Sequence, residues 1–305
     1  MSERTITRKS RAFYEQFQFP GDRPIDQDGL IFMRRFTRSI ERCRQFNSAE
    51  KLRVLDAGCG TGNTSVALAR RWNDVEFYGL DNSQTSLAKA AGASRKDGLA
   101  NIHFRRWNLM NSFPYKRPFD IALCLGVLHH TADMKRGLLN IHNVLKNNGE
   151  LYLWIYGKHG RYKHSLNMRL LAMLLNTAPK PTERMALAKE FIFNSGTCSP
   201  LLDLVGKTQY DSMQQIPLED PVWIADQFLN PHEVLIDMTE LIETAKSAGF
   251  TIEHLLGVDE EISHYLNSPS LRERFKNLKK DMRLIALDLL IKPERYFVVL
   301  KKSDS

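Results

Sequence analysis

Hydrophobic positions between residues 51 and 156 alternate between short apolar runs and stretches with helical spacing. The apolar runs predict strands buried on both faces of a sheet: 51–56, 75–80, 102–107, 119–125 and 151–156. The stretches between them predict helices: 63–72, 83–93 and 137–145. Strands that alternate with helices at this spacing indicate an open α/β sheet with right-handed crossovers and helices on both faces.

The pattern changes on either side of this region. Helical spacing is predicted for 11–50, interrupted by the run PGDRP at 20–24, and its apolar anchors are Phe13, Phe17, Phe32, Phe36, Ile40 and Phe46. After residue 156 come helix-like pieces at 164–175 and 183–193, and loop-like pieces at 194–200 and 214–226. A helix at 239–248, a strand at 250–255, a long amphipathic stretch at 270–291 and a strand at 295–301 close the chain.

These changes predict four parts of the chain. They are an N-terminal helical arm at 1–50, an α/β core at 51–156, a mostly helical insertion at 157–236 and a completion of the core at 237–305. The insertion is expected to pack over the carboxyl edge of the sheet as a substrate lid. Ligands bind at that edge in open α/β sheets.

Composition excludes several classes of protein. With 305 residues, 43% hydrophobic and 26% charged, the chain is neither disordered, collagen-like nor a coiled coil. It has no apolar stretch of the roughly 20 residues that a membrane helix needs, and the first ten residues lack the apolar core of a secretory signal. The four cysteines are far apart: Cys43, Cys59, Cys124 and Cys198. We therefore expect a cytoplasmic protein with reduced thiols.

Charge is distributed unevenly. Residues 134–189 contain ten Lys or Arg and two acids, whereas 190–260 contain two Lys and 13 acids. Within the second stretch, 219–243 has seven acids and no Lys or Arg. A basic stripe suits RNA or an acidic protein, and an acidic one attracts an amine. The alternative is that both are solvated faces that attract each other.

The strongest local signal is a glycine loop. The run VLDAGCGTG at 54–62 lies where the first predicted strand passes into the first predicted helix, so backbone amides approach a ligand there. Its spacing is G-x-G-x-G, which differs from the G-x-G-x-x-G of dinucleotide folds. An acid, Asp81, ends the second strand 25 residues after Asp56, where it can accept hydrogen bonds from both ribose hydroxyls.

These residues resemble motif I and the following motifs of the class I S-adenosylmethionine-dependent methyltransferases. The resemblance covers roughly 50–156, including FDIALCLGVLHH at 119–130 and VLKNNGEL at 144–151. It departs from the family at Asn108, where Asp is usual, and at Asn147-Asn148, where Pro-Gly is usual. It implies a Rossmann-like sheet and S-adenosyl-L-methionine as cofactor, bound by Asp56, Gly58, Cys59, Gly60, Gly62, Asp81, Asn82, Asn108, Leu109 and Leu125.

The chemistry that follows is an in-line displacement, in which the enzyme aligns the acceptor and excludes water. No metal is expected, because no H-E-x-x-H or Cys/His cluster occurs. The predicted catalytic residues are His130, as base for an acceptor that arrives protonated, and Tyr156, which would orient an amine. The alternatives are that His130 and its neighbour only line the cofactor and that the tyrosine is a core aromatic. Tyr14 and Phe19 are expected either to close over the cofactor or to pack as apolar residues.

Five residues are predicted to bind the acceptor: His129, Arg161, Tyr162, Trp223 and Asp226. Arg161 suits a carboxylate, while the aromatic ring and carboxylate of Trp223 and Asp226 together suit a cationic amine. The alternative for the segment 220–226 is an exposed loop with one anchoring tryptophan.

The acceptor itself stays open between several classes. We favour an amine narrowly, because of the acidic run at 219–243. A more specific version of this hypothesis is a lysine of a protein, such as a translation factor. The alternatives are a small molecule methylated on O, N or C, as in ubiquinone-biosynthesis-like enzymes, and tRNA or rRNA. No membrane span is expected, and nucleic acid is not favoured as partner. A non-catalytic binding protein is a fourth possibility, against which the intact glycine loop argues.

Overall fold

The computed structural model describes residues 1–19, 27–46, 50–176, 180–194, 220–258 and 262–303. Its strands are β1 (Arg53–Ala57), β2 (Glu76–Asp81), β3 (Ile102–Arg106), β4 (Phe119–Leu125), β5 (Leu145–Tyr156), β6 (Phe250–Leu256) and β7 (Arg295–Lys302). They form a seven-stranded sheet of order β3-β2-β1-β4-β5-β7-β6. The first five strands pair in parallel and β7 is antiparallel to both its neighbours, so the predicted α/β fold with a Rossmann-like sheet is confirmed.

The helices over the core are α1 (Glu3–Gln16), α2 (Gln27–Phe46), α3 (Asn63–Arg71), α4 (Gln84–Lys96), α5 (Met134–Val144), α9 (Met238–Ser247), α10 (Pro269–Lys276) and α11 (Lys280–Ile291). Short 3-10 turns lie at Leu128–His130 and Ile262–His264. Helices α2 and α3 cover one face of the sheet, and α5, α9 and α11 cover the other. Strand order reverses between β1 and β4, so the crevice for a ligand lies at their carboxyl ends.

Described residues of the 157–236 stretch form helices with an apolar cluster of their own. These are α6 (Tyr162–Leu175), α7 (Pro181–Asn194), α8 (Pro221–Ile224) and a π-helical turn at Ala225–Leu229. Their cluster contains Leu171, Phe191, Trp223 and Phe228, among others. Most of the predicted loop at 194–200, from residue 195 on, falls outside the described residues, as do the predicted loop at 214–219, the predicted break at 20–24 and the fourth cysteine, Cys198.

One local prediction was wrong. The segment at 220–226 is helical, because Asp220 caps α8 by accepting a hydrogen bond from the Val222 amide and Pro221 occupies the first turn. The stretch at 270–291, predicted to be amphipathic, forms two helices, with α10 ending before Asn277 and α11 beginning after Lys279. No helix in the described part of the chain is both long enough and apolar enough to span a membrane.

Candidate active site

The glycine loop after β1 has the backbone geometry that only glycine tolerates well. Gly58, Gly60 and Gly62 have φ values of +91°, +53° and +79°. A Cβ at Gly58 would overlap the side chain of Val127, and one at Gly62 would lie 2.7 Å from the Ala90 Cβ. The loop is therefore held close to the residues that follow β4, and α3 begins directly after it.

Asp81 fixes this loop from the neighbouring strand. Its Oδ2 accepts a hydrogen bond from the Gly60 amide at 2.9 Å, and its Oδ1 accepts one from the Ser83 amide at 2.8 Å. Asp56, at the end of β1, is buried and accepts a hydrogen bond from the Ser65 hydroxyl. Burial raises the pKa of Asp56 to about 7, so this carboxyl readily holds a proton.

A cavity opens above these residues. Its empty volume is about 1130 Å³ with the open solvent at its mouth included. The carboxyl ends of β1, β2 and β4 form its floor, and α1 forms its roof through Thr7, Ser10, Arg11 and Tyr14. Trp107, which also lines it, has a buried indole N–H without a hydrogen-bond partner among the described residues.

Helix α1 is attached to the rim of the cavity at several points. The Glu15 carboxylate accepts hydrogen bonds from the amides of Gln84 and Thr85, in the first turn of α4, where the helix dipole favours a negative charge. The Ser10 hydroxyl donates to the His130 carbonyl at 3.2 Å. The N-terminal arm therefore forms one wall of the site.

His130 stands on the cavity wall beyond β4. Its Nδ1 lies 2.8 Å from the carbonyl oxygen of His232. Because a carbonyl only accepts, Nδ1 carries the hydrogen of the neutral ring, and Nε2 keeps a lone pair. Nε2 makes no hydrogen bond to the described residues, so it is available as a proton acceptor.

A buried hydrogen-bonded layer lies behind Tyr14 and His130. The Tyr14 hydroxyl donates to the Asp226 Oδ1 at 3.1 Å, and the Gln227 Nε2 donates to the Asp226 Oδ2 at 2.8 Å and to the Tyr156 hydroxyl at 2.7 Å. Asp226 and Gln227 belong to the π-helical turn, a rare geometry that is frequent at functional sites. This layer joins α1, the end of β5 and the 157–236 stretch.

Arg161 completes this layer. Its guanidinium lies 3.7 Å from the centre of the Tyr156 ring, donates to the Gln227 Oε1 at 3.1 Å and lies 3.4 Å from the Glu233 carboxylate. His129 is fully buried, with its ring 4.2 Å from that of Tyr156 and both nitrogens unpartnered among the described residues. Burial lowers the pKa of His129 well below its usual value, so the ring is neutral.

Comparisons with known proteins agree with this geometry. Residues 48–177 match a family model described as a methyltransferase domain. A solved structure of PKMT2 from Rickettsia typhi in complex with AdoHcy superposes with a TM-score of 0.63 at 15% identity, covering 84% of this chain and 49% of that one. The family model assigns residues 48–177, and the superposition gives the fold. Residues 48–177 form a methyltransferase domain, and the chain has the fold of the class I S-adenosylmethionine-dependent methyltransferases.

Two proteins similar in sequence show the range of relatives of this chain. An uncharacterized protein of Synechococcus sp. is 26% identical over 293 residues, which are 94% of this chain and 69% of that protein. The tRNA 5-carboxymethoxyuridine methyltransferase of Escherichia coli is 32% identical over 119 residues, which are 38% of this chain and 45% of that enzyme. The chain thus spans less than half the length of the tRNA enzyme and about half that of the structural neighbour.

The cavity of the methyltransferase fits its cofactor, S-adenosylmethionine. A glycine cradle in which a Cβ at Gly58 would clash, an acid at the end of β2 and an unpartnered indole N–H all face one space. Of the ten residues predicted to bind the cofactor, nine line this cavity: Asp56, Gly58, Cys59, Gly60, Asp81, Asn82, Asn108, Leu109 and Leu125. Gly62 does not line it, because this residue caps the start of α3 and lies against Ala90 of α4.

The structure separates the predicted catalytic and acceptor residues into three groups. His130 lines the cavity, together with Tyr14 and Phe19. The second group lies in the layer behind the wall and does not line the cavity: His129, Tyr156, Arg161 and Asp226. The third group lies elsewhere. Trp223 is buried in the apolar cluster of the 157–236 stretch, and Tyr162 is 62% exposed on the outer face of α6.

The acids that the structure describes between 220 and 243 do not line one shared groove. Asp237 and Glu240 form the capping box of α9 and pair with Lys158, while Glu233 lies beside Arg161. These ion pairs join the basic and acidic stretches, as expected if the two faces attract each other. Among the described acids of this run, Asp226 is the one that reaches Tyr14 of the cavity wall.

Several cavity residues were not predicted. Thr7, Ser10 and Arg11 lie on the inner face of α1 at helical spacing with Tyr14. This spacing is the signal that could have identified them, although Thr7 and Ser10 precede the predicted helical stretch at 11–50. Trp107 also lines the cavity, and its position directly after β3 and before Asn108 is the sequence signal that could have identified it. Within the described residues no group of His, Cys, Asp or Glu has the geometry of a metal site, and Cys43, Cys59 and Cys124 are free thiols.

Proposed function

We propose that this methyltransferase transfers a methyl group to an amine, which enters the cavity between α1 and the turn after β4. The observation that carries the proposal is His130, a cavity residue whose tautomer is fixed by the His232 carbonyl so that Nε2 keeps a lone pair. Amines are protonated near neutral pH, and a protonated amine has no lone pair to attack with. A side chain that is held beside the amine and can take up its proton meets this requirement.

Different residues of the cavity wall have different tasks in the proposed reaction. S-adenosylmethionine, when bound, supplies a methyl group already activated by its sulfonium. Asp81 and Asn108 would hold its ribose and adenine, and the glycine loop its polar end. His130 would take the proton of the ammonium at Nε2. Tyr14 and the rings around it would exclude water and position the nitrogen.

The charges behind the wall favour a cation. The layer contains the carboxylates of Asp226 and Glu233 and one guanidinium, that of Arg161. Asp226 is buried, and its charge lies one hydrogen bond away from the Tyr14 hydroxyl. A negative charge in this position stabilises an arriving ammonium and, after proton transfer, the imidazolium of His130. More specifically, we propose that the acceptor amine is a lysine side chain of a protein.

Two other acceptor classes remain as alternatives. A nucleic acid is favoured by the relative that by name acts on tRNA and by the basic residues at 134–189, although Lys158 and Arg161 of that stretch face acids in the structure. A small molecule methylated on O, N or C is favoured by the partly closed cavity beneath α1.

Methyl-labelled S-adenosylmethionine tests the proposal. We would add it with the purified chain to an extract of source cells that lack the gene, then separate protein, RNA and solvent-extractable fractions. Label on a nitrogen, in a protein band resistant to RNase and base or in an extracted amine, is the expected result. Label in RNA, or on an oxygen or carbon of a small molecule, would contradict the amine assignment. The variant His130→Gln is the matched control, which should lower the label in the true product.

A further inference from the structure

Helix α1 carries a row of exposed arginines beside the cavity. Arg4, Arg8 and Arg11 make no hydrogen bond or ion pair in the part of the chain that the structure describes. At about 100° per residue they lie within about 60° of one another on the helix circumference. At a rise of about 1.5 Å per residue they extend over about 10 Å. We call these three residues the arginine ridge.

The arginine ridge borders the face of α1 that lines the cavity. Thr7, Ser10 and Tyr14 line the cavity, and Arg11 lines it as well. Arg11 directly follows Ser10, whose hydroxyl donates to the His130 carbonyl at 3.2 Å. The ridge therefore begins at the cavity wall near His130 and continues along the exposed side of α1.

The acids of α1 do not neutralise the ridge. The Glu3 carboxylate pairs with Arg136 of α5 at 2.9 Å. The Glu15 carboxylate accepts hydrogen bonds from the amides of Gln84 and Thr85 at the start of α4. Because both carboxylates have partners outside the ridge, its guanidinium groups give this side of the cavity a positive potential. Such a potential repels an ammonium group and attracts carboxylates.

We propose that the acceptor of this methyltransferase is a lysine within an acidic segment of a protein, whose carboxylates bind the arginine ridge while the lysine enters the cavity. This inference rests on the proposed function, in which the acceptor is a lysine amine. The ridge repels a lysine that lacks acidic neighbours, whereas acids beside the lysine reverse this effect. Guanidinium groups bind carboxylates through paired hydrogen bonds. An extended segment rises about 3.3 Å per residue, so the ridge matches about three residues next to the lysine.

The sequence around the methylated lysine tests this inference. We would add the purified chain and methyl-labelled S-adenosylmethionine to an extract of source cells that lack the gene, and locate the methylated lysine by mass spectrometry. Several Asp or Glu within about five residues of that lysine are expected. A synthetic peptide with this sequence should be methylated with a kcat/KM about tenfold higher than its counterpart with Asn and Gln in place of the acids. Added salt should reduce this difference.

Reversal of the charge of the ridge provides the matching test on the enzyme. Arg8→Glu/Arg11→Glu should lower kcat/KM for the acidic peptide about a hundredfold and favour the neutral counterpart instead, because the acids of the peptide are then repelled. The matched control is Arg274→Glu/Lys276→Glu in α10, which changes two exposed cations that do not line the cavity. This control should retain the preference of the parent. Calorimetry should show unchanged S-adenosylmethionine affinity in both variants.

The outcomes separate this inference from the proposed function. A methylated lysine without acidic neighbours, or equal kcat/KM for the two peptides, would overturn the inference and leave the proposed function intact. Absence of label from protein nitrogen would overturn both. Label in RNA would also overturn both and would assign the ridge to phosphates. Weaker S-adenosylmethionine binding by the ridge variant would assign Arg11 to the cofactor and overturn the inference.

Discussion

The two ends of the cavity are built in different ways. The cofactor end consists of the turns after β1, β2 and β3, in which Gly60 and Asp81 contact each other across neighbouring parallel strands. At the end that we propose for the acceptor, Tyr14 of α1 and His130 after β4 line the cavity, and Asp226 of the π-helical turn contacts Tyr14 from behind the wall. These three residues lie far apart in the chain. The first end uses backbone amides and a strand order common to the fold. The second depends on elements packed around that fold.

The cofactor end is therefore a general feature of the fold, whereas the proposed acceptor end is particular to this chain. Parallel strands bring their carboxyl ends to one edge, so the cofactor end follows from the sheet itself. Helix α1 and the π-helical turn have no such constraint, and their contact through Tyr14 and Asp226 fixes the shape of the acceptor end. Substitutions at the two ends should therefore affect different steps of the reaction.

The largest effect is expected at the cofactor end. Asp81→Ala removes the carboxylate that accepts from the Gly60 and Ser83 amides and would also accept from the ribose. Loss of hydrogen bonds to a charged group should weaken S-adenosylmethionine binding roughly a thousandfold, measured by calorimetry. Asp81→Asn keeps one acceptor oxygen and should be intermediate. Unchanged affinity in the alanine variant would remove Asp81 from the cofactor site.

His130→Gln tests the acceptor end next. Loss of the proton acceptor should lower kcat about a hundredfold, while calorimetry shows unchanged cofactor affinity. With an amine acceptor, the gap to the parent should narrow as the pH rises towards the pKa of the amine, about 10.4 for lysine, because solvent then removes the proton. A gap that stays constant with pH would mean that His130 only shapes the cavity.

Asp226→Asn removes a charge but keeps an oxygen for the Tyr14 hydroxyl. We expect the KM for the amine acceptor to rise about tenfold, with cofactor affinity unchanged, since a buried negative charge directly behind Tyr14 is lost. Glu243→Gln is the matched control, because Glu243 is an exposed acid of the same run. Equal effects of the two variants would point to a diffuse charge effect and would contradict a specific role for Asp226.

The smallest effect concerns stability. Glu294 is half-buried near Arg161, its Oε1 is buried without a described hydrogen-bond partner, and burial raises its pKa to about 7. The unfolded chain releases this proton near pH 4.3, so the folded state binds more protons between about pH 4.3 and pH 7 and loses stability as the pH rises through that window. Glu294→Gln lacks this dependence. Its melting temperature relative to the parent should increase from about pH 5 to about pH 8, and a constant difference would contradict the assignment.

The sequence predicted most of the sheet and the cofactor end, because strand, turn and helix signals for each motif lie within a few consecutive residues. It did not predict that Arg161 would stack on Tyr156 behind the cavity wall, since the contact depends on how the 157–236 stretch folds. Trp223 was placed near the acceptor because it adjoins acids in sequence, yet its apolar ring is buried with Phe228. The Asp220-Pro221 pair was a helix start signal that composition alone did not distinguish from a loop.

A crystal structure with S-adenosylhomocysteine would test most directly whether the cavity has these two ends. We expect the ribose hydroxyls to bind Asp81, the adenine to lie at Asn108, and the sulfur to face the space between His130 and Tyr14. A complex in which the sulfur points away from His130, with that ring separated from the reacting atoms, would contradict the proposed acceptor end beside His130.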